Sequence, residues 1–256
     1  MTMPVELQIA DRHRLIALFE NCPYDRVLID SVLEGYFGRA HADSPVNPAA
    51  ARLDSGAFTI LGGNPNAAGV KDLLHLAPIG YVTPQTDEWR HTLQDEFGTH
   101  VRTLAFVEFS AVALDRAHLA RLTGTLPAPF ELKRIDRALA EQLPTDMGNE
   151  YFFENFHSID DFLGRGIGYC ILRRNKIVSA ATSMAQSRRA IDIEIETVAG
   201  YQKQGLATVV GAQIAAYCLE RGIEPCWLAA NAASERLALR LGYVRGDRYE
   251  TLEIQA

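Results

Sequence analysis

The stretch IDIEIETVAGYQKQGLATVVGAQIAA, residues 191–216, decides the fold. Ile191, Ile193 and Ile195 alternate with Asp192, Glu194 and Glu196, the period of two expected of a strand with two unlike faces. After Val198-Ala199-Gly200-Tyr201 the chain enters Gln202-Lys203-Gln204-Gly205-Leu206-Ala207, then a run of good helix formers to Arg221 broken only by Gly211. Strand, glycine-centred loop and helix in that order aim several backbone N–H groups at one point at a helix N-terminus, where the dipole favours negative charge. The stretch reads as a phosphate cradle.

Outward from it, the 256-residue chain is long enough for one large domain or two modest ones. Its 48% hydrophobic and 22% charged content is that of ordinary globular proteins. No apolar run approaches the ~18 residues needed to span a bilayer. The opening MTMPVELQIADRHR lacks the basic-then-apolar order of a signal peptide, so a cytoplasmic location without membrane contact is expected. A net charge of −7 argues against nucleic acid as a partner and favours an amine-bearing ligand. Cys22, Cys170, Cys218 and Cys226 are scattered without a CxxC pair; Cys170 and Cys226, inside apolar runs, read as buried free thiols. The seven histidines show no ligand spacing, and no metal is expected.

In the first half, residues 6–38 read as helical, broken at Cys22-Pro23, and HADSPVNP at 41–48 reads as loop. A strand at 57–61, the turn GGNPN, a helix at 67–76, a strand at 79–82, a helix at 86–97 and a strand at 101–109 follow. This order echoes the one around Gly205, so the first half is expected to be a smaller α/β domain and a candidate degenerate copy of the second. After a short helix at 116–122, TGTLPAP at 123–129 is the candidate boundary, giving domains 1–126 and 127–256.

In the second half FELKRI at 130–135 alternates as a strand, and Asp136 can cap a helix ended by Pro144. Tyr151, Phe152, Phe153, Phe156 and His157 form an aromatic cluster ahead of a capping box at Ser158. A hairpin about Arg174-Asn175 leads to the strand at 191–198 and the helix after Gly205. PCWLA at 225–229 is a short apolar strand, Asn231 precedes a helix closed by Gly242, and 243–244 with 248–254 supply the last strands.

This order, with Gln202-Lys203-Gln204-Gly205-Leu206-Ala207 as a Q/R-x-x-G-x-G/A signature after a strand ending Thr197-Val198, resembles the GNAT acetyltransferase superfamily. Asn231, Ser234, Leu237 and Leu241-Gly242-Tyr243 match its downstream motif. The runs Ile167-Gly168-Tyr169-Cys170, Ile193-Glu194-Ile195-Glu196-Thr197, Gly205-Leu206-Ala207-Thr208 and Gly222-Ile223-Glu224-Pro225 are similar to the zwittermicin-resistance-type members. The resemblance covers the second half well and the first half only loosely. It implies a mixed, mainly antiparallel sheet with flanking helices, and acetyl-CoA as co-substrate.

On that resemblance the diphosphate is expected on the backbone from Gln202 and Lys203 through Gln204, Gly205, Leu206 and Ala207 to Thr208, whose hydroxyl adds a contact or back-bonds within its helix. Val198 is expected to pair with the pantetheine arm and to offer its N–H to the thioester oxygen. Asn231 meets the same arm or caps the last helix, and Ser234 reaches cofactor oxygens. Glu196, or Glu194 beside it, is the candidate base for the acceptor amine, against the alternative that both simply face solvent. Tyr151, Phe152 and His157 are the candidate acceptor wall, with Glu150 and Glu154 adding negative charge. Where the superfamily often carries a tyrosine acid, this chain has Ala238; Tyr243 is the substitute acid or core packing.

The expected function is N-acetyl transfer to a primary amine of a small molecule by direct attack in a ternary complex, since no cysteine suits an acyl-enzyme. The rivals are a non-catalytic acyl-CoA-binding module and an acetyltransferase acting on a protein amine. A homodimer is compatible with either.

Overall fold

The alternation at 191–196 forms a strand over Ala190–Thr197 in the computed structural model of the chain, which describes residues 3–77, 79–149 and 151–255. The residues gather into two units, Met1–Phe106 with Tyr249–Ala256, and Val107–Arg248.

The first unit holds β1 (Val5–Glu6), α1 (Ile16–Phe19), α2 (Arg26–Leu33), β2 (Arg39–Ala42), β3 (Ala50–Ser55), β4 (Phe58–Gly63), α3 (Val70–Leu74), β5 (Tyr81–Val82) and α4 (Asp87–Phe97). Its strands run in that order and are antiparallel except for the parallel pair β4–β5. Two departures from the sequence reading have physical reasons. The segment 6–38 is broken at Cys22-Pro23 as expected, but its first part is a 3-10 turn at Ile9–Leu15 running into the four-residue α1, and α2 ends at Leu33. The β2–β3 hairpin, in a stretch expected to open with loop, hides behind alanines and charges: Arg52, 1% exposed, is a core residue. Its guanidinium donates to Asp54 at 2.8 Å and to the carbonyls of Leu73 and Leu74 at 3.0 and 3.3 Å, satisfying the end of α3.

The second unit takes up β6 (Val101–Ser110) from Val107 onward. It continues with α5 (Arg116–Thr123), β7 (Glu131–Arg134), α6 (Arg137–Met147), α7 (Ile159–Arg165), β8 (Gly168–Arg173), β9 (Lys176–Gln186), β10 (Ala190–Thr197), α8 (Leu206–Arg221), β11 (Glu224–Ala229) and α9 (Ala232–Leu241). The last strand, β12 (Val244–Ile254), returns to the first unit, where it lies antiparallel to β5. In the second unit β7, β8, β9 and β10 pair antiparallel, β10 and β11 parallel, and β11 and β6 antiparallel. Each unit thus has the same strand order, with its one parallel pair joined through a turn and a helix and its sixth strand supplied from elsewhere in the chain.

Residues 107–126 pack with the second unit. Leu119 of α5 sits in a cluster with Ala212, Trp227 and Leu241, and His118 Nε2–H donates to the carbonyl of Arg240 at 2.9 Å. Helix α6 runs past Pro144, where it was expected to stop, because the Pro144 carbonyl still accepts the closing bond from Gly148 at 2.9 Å. The β8–β9 hairpin turns on Arg174 and Asn175 at φ 50 and 61, as a two-residue turn of the primed type requires.

Ile191, Ile193 and Ile195 pack on the α8 side of the sheet. The glutamates of β10 therefore face the opposite side, where α6, α7 and Phe152 build a separate core. That alternation places the site.

Candidate active site

β11 pairs with β10 only at Ala190, Ile191 and Asp192. A bulge sits at the same level, with Met184 of β9 falling between the partners of Asp192 and Ile193. Past Asp192 the two parallel strands part, and a cleft of about 1020 Å³ opens between them and the ends of α8 and α9. Val198 N–H donates to the Val178 carbonyl at 3.0 Å, on the β9 side. This corrects the expectation that Val198 supplies the oxyanion donor. Because backbone groups alternate in direction along a strand, the N–H groups of Ile195 and Thr197 are the ones turned toward the parted side.

At the far wall α8 begins at Gly205, φ 82, with no side chain capping its first N–H groups. A Cβ built on Gly205 would meet nothing within 4 Å, so the glycine answers the left-handed backbone and leaves the approach open. Lys203 at φ 62 completes the turn. Gln202 donates to the Thr197 carbonyl at 3.2 Å and Gln204 to the Gly200 carbonyl at 3.4 Å, so these side chains brace the loop. Gln202, Lys203, Gly205, Leu206, Ala207 and Thr208 line the cleft, as do Asn231 and Ser234; Val198 and Gln204 do not. Arg236 and Arg240 of α9 line it too, and sequence reasoning missed them. With Lys203 they make a cationic rim on a chain of net charge −7. An uncapped helix N-terminus, an open glycine and a cationic rim fit a polyanionic ligand such as the diphosphate arm of a CoA thioester.

Asn231 is the N-cap of α9, its side-chain oxygen accepting from Ala233 and Ser234 N–H at 3.0 Å each. Ser234 Oγ accepts from Trp227 Nε1 at 3.1 Å.

Glu194 and Glu196 both line the cleft, half-buried rather than facing solvent. Asn149, which follows the Gly148 cap of α6, donates Nδ2 to Glu196 Oε2 at 2.8 Å and to Glu194 Oε1 at 3.3 Å. Burial pushes the Glu194 carboxyl up to about 7; the Asn149 hydrogen bond opposes the rise, and the charges of Glu196 and Glu154 add to it. No periodicity singles out Asn149, which lies in the irregular link between α6 and the Tyr151–Phe153 turn.

The residues expected to form the acceptor wall do not share this cleft. Phe152 is fully buried in the α6–α7 core, Tyr151 is 56% exposed, and neither they nor His157 line the cleft. Glu150 lies outside the described residues. Ala238 is fully buried, and Tyr243, 3% exposed, packs against Trp227 with its hydroxyl inside the core, so it does not reach the cleft as an acid. None of the four cysteines lines the cleft. Cys226 is half-buried rather than fully buried as expected, and burial raises every thiol. Among the described residues no group of three or more His, Cys, Asp or Glu is arranged to hold a metal, and no helix is long and apolar enough to cross a membrane.

Comparison with known proteins gives a family and a fold. The sequence model of the GNAT acetyltransferase family fits residues 16–252. A Bacillus subtilis (strain 168) protein named uncharacterized N-acetyltransferase YdfB is 33% identical over 129 residues, 50% of this chain and 49% of its own length. The chain thus matches about half the length of that curated relative. A GCN5-related N-acetyltransferase-like protein from Streptococcus suis 89/1591 superimposes with a TM-score of 0.85 at 30% identity, over 96% of this chain and 99% of that one. A tandem GNAT protein from the clavulanic acid biosynthesis pathway shares the fold, with a TM-score of 0.62 at 13% identity and 97% of each chain covered.

Proposed function

Because the chain belongs to the GNAT acetyltransferase family, we propose that it transfers an acetyl group from acetyl-CoA to a primary amine of a small molecule by direct attack within a ternary complex. The observation that carries this reading is the position of Glu194, a carboxyl with a pKa of about 7 where β10 and β11 part. A base tuned to that value is about half ionised at neutral pH and basic enough to take a proton from an amine becoming bonded to an acyl carbon.

The amine nitrogen attacks the thioester carbonyl, the C–S bond breaks, and CoA leaves as the thiolate. A cationic acceptor gives its ammonium proton to Glu194, directly or through one water, before the neutral nitrogen attacks, and the second N–H proton goes through solvent to the leaving thiolate. Glu196 is the neighbouring charge that draws a cationic acceptor in. The N–H groups of Ile195 and Thr197 face the developing oxyanion. Lys203, the α8 N-terminus and the cleft faces of Arg236 and Arg240 hold the phosphates, with Thr208 and Asn231 on the walls.

The net charge of −7 and the two glutamates on the cleft support an amine-bearing acceptor, and a small molecule in a cytoplasmic setting completes the proposal. The acetyltransferase domain is the second unit, Val107–Arg248, and the strand order the two units share supports reading the first as a degenerate copy of it. The test is incubation with acetyl-CoA and a panel of primary amines, with acetylated products read by mass spectrometry. Acetyl-CoA binding without any product would leave the non-catalytic binding module instead, and acetylation confined to protein amines would replace the small-molecule acceptor.

A further inference from the structure

Two carboxylates at i and i+2 on one strand face stand about 7 Å apart at their Cβ atoms, and half-buried like charges at that distance oppose each other's ionisation. In this site a single neutral group meets both. Asn149 has two amide protons and one oxygen, and each has a job. Nδ2 serves Glu196 at 2.8 Å and Glu194 at 3.3 Å, while Oδ1 accepts from the backbone N–H of Tyr151 at 2.8 Å. Turning the amide over would set its oxygen against two carboxylates and its nitrogen against an N–H donor, so the network admits one orientation.

We propose that Asn149 is the positioning residue of the carboxylate pair, holding Glu194 and Glu196 to one neutral donor so that the two divide the work of proton acceptor and counter-charge. The shorter bond goes to Glu196 and the longer to Glu194, which leaves Glu194 the less strongly held. The groups facing Glu194 are Asn149 from the α6–Tyr151 link, Glu196 on its own strand and Glu154 beyond the Tyr151–Phe153 turn. Of these Asn149 alone favours the ionised form. Without it the carboxyl would hold its proton to higher pH and serve as a base only above neutrality. The catalytic part of this inference rests on the proposed acetyl transfer; the electrostatic part does not.

The experiment is a carbon-13 NMR titration of the glutamate side-chain carboxyls in the full chain, with the Glu194 signal assigned by its loss in Glu194→Gln. In the wild type its midpoint is expected near the value of about 7. In Asn149→Leu it is expected to rise by about one pH unit, the worth of one hydrogen bond to a charged group. In Asn149→Asp, which keeps an acceptor for Tyr151 N–H but removes both donors and adds a charge, it is expected to rise further. The acid limb of kcat/KM for any amine acetylated should move up with it, while acetyl-CoA affinity stays unchanged. A midpoint that does not move in either folded variant overturns the proposal. So does loss of the fold in Asn149→Asp, which would make Asn149 structural. A midpoint that rises in a protein acetylating no amine upholds the role of Asn149 and removes the acetyl-transfer reading alone.

Discussion

Trp227 Nε1 donates to Ser234 Oγ at 3.1 Å, fastening β11 to the first turn of α9 on the wall of the cleft. Ser234 is therefore first a partner for a nearly buried indole, 3% exposed, and only then a surface for the ligand. Ser234→Ala leaves that N–H unpaired and is expected to cost about 1–2 kcal/mol of stability. Chemical denaturation checks this, and acetyl-CoA affinity, measured by calorimetry, should fall less than threefold. A large affinity loss without a stability loss would return Ser234 to direct cofactor contact.

Glu194 should also leave a mark on stability. Its carboxyl has an ordinary value of 4.5 in the unfolded chain and about 7 in the folded one. Below pH 4.5 both states hold the proton; between 4.5 and 7 the unfolded chain releases it while the folded chain keeps it. Stability therefore falls as pH rises through that window, by on the order of 1–3 kcal/mol for this half-buried group. Glu194→Gln should flatten the slope and be the more stable protein above pH 7, as urea midpoints at pH 5 and 8 will report.

The loop should respond to charge and to Cβ separately. Gly205→Ala forces a side chain to φ 82 but meets no neighbour, so it should cost about 1 kcal/mol of stability. Gly205→Asp adds a carboxylate at the uncapped N-terminus of α8 and should abolish acetyl-CoA binding by repulsion of the phosphates. Calorimetry on the folded variants separates the two; normal affinity in Gly205→Asp would move the phosphates elsewhere.

Tyr243 carries a buried hydroxyl that finds no hydrogen-bond partner among the described residues. Tyr243→Phe removes that unpaired group and is expected to stabilise the fold by about 1 kcal/mol without changing turnover. A drop in turnover at unchanged stability would reinstate this tyrosine as the acid.

The second unit was legible in the sequence because its signals are local. Alternation wrote β10, and glycines wrote the start of α8 at Gly205 and the end of α9 at Gly242. The lining of the cleft beside Gly205 followed from those positions. What stayed hidden depends on contacts between distant residues. The β2–β3 hairpin is disguised by Arg52, whose burial is made possible by carbonyls more than twenty residues away. Asn149 stands in an irregular link and gains its meaning only when the chain returns with Glu194 and Glu196. Direction within a strand was equally out of reach: alternation places Val198 on the glutamate face, but only the pairing with β9 reveals that its N–H is engaged by Val178.

The most direct test of acetyl transfer through Glu194 is the rate of thiol release from saturating acetyl-CoA with an amine acceptor, wild type against Glu194→Gln, followed from pH 5.5 to 9. The expected result is amine-dependent release in the wild type, rising through a limb near pH 7, and in Glu194→Gln a rate at least ~100-fold lower without that limb, at unchanged acetyl-CoA affinity. Equal rates and equal pH profiles in the two proteins would contradict it.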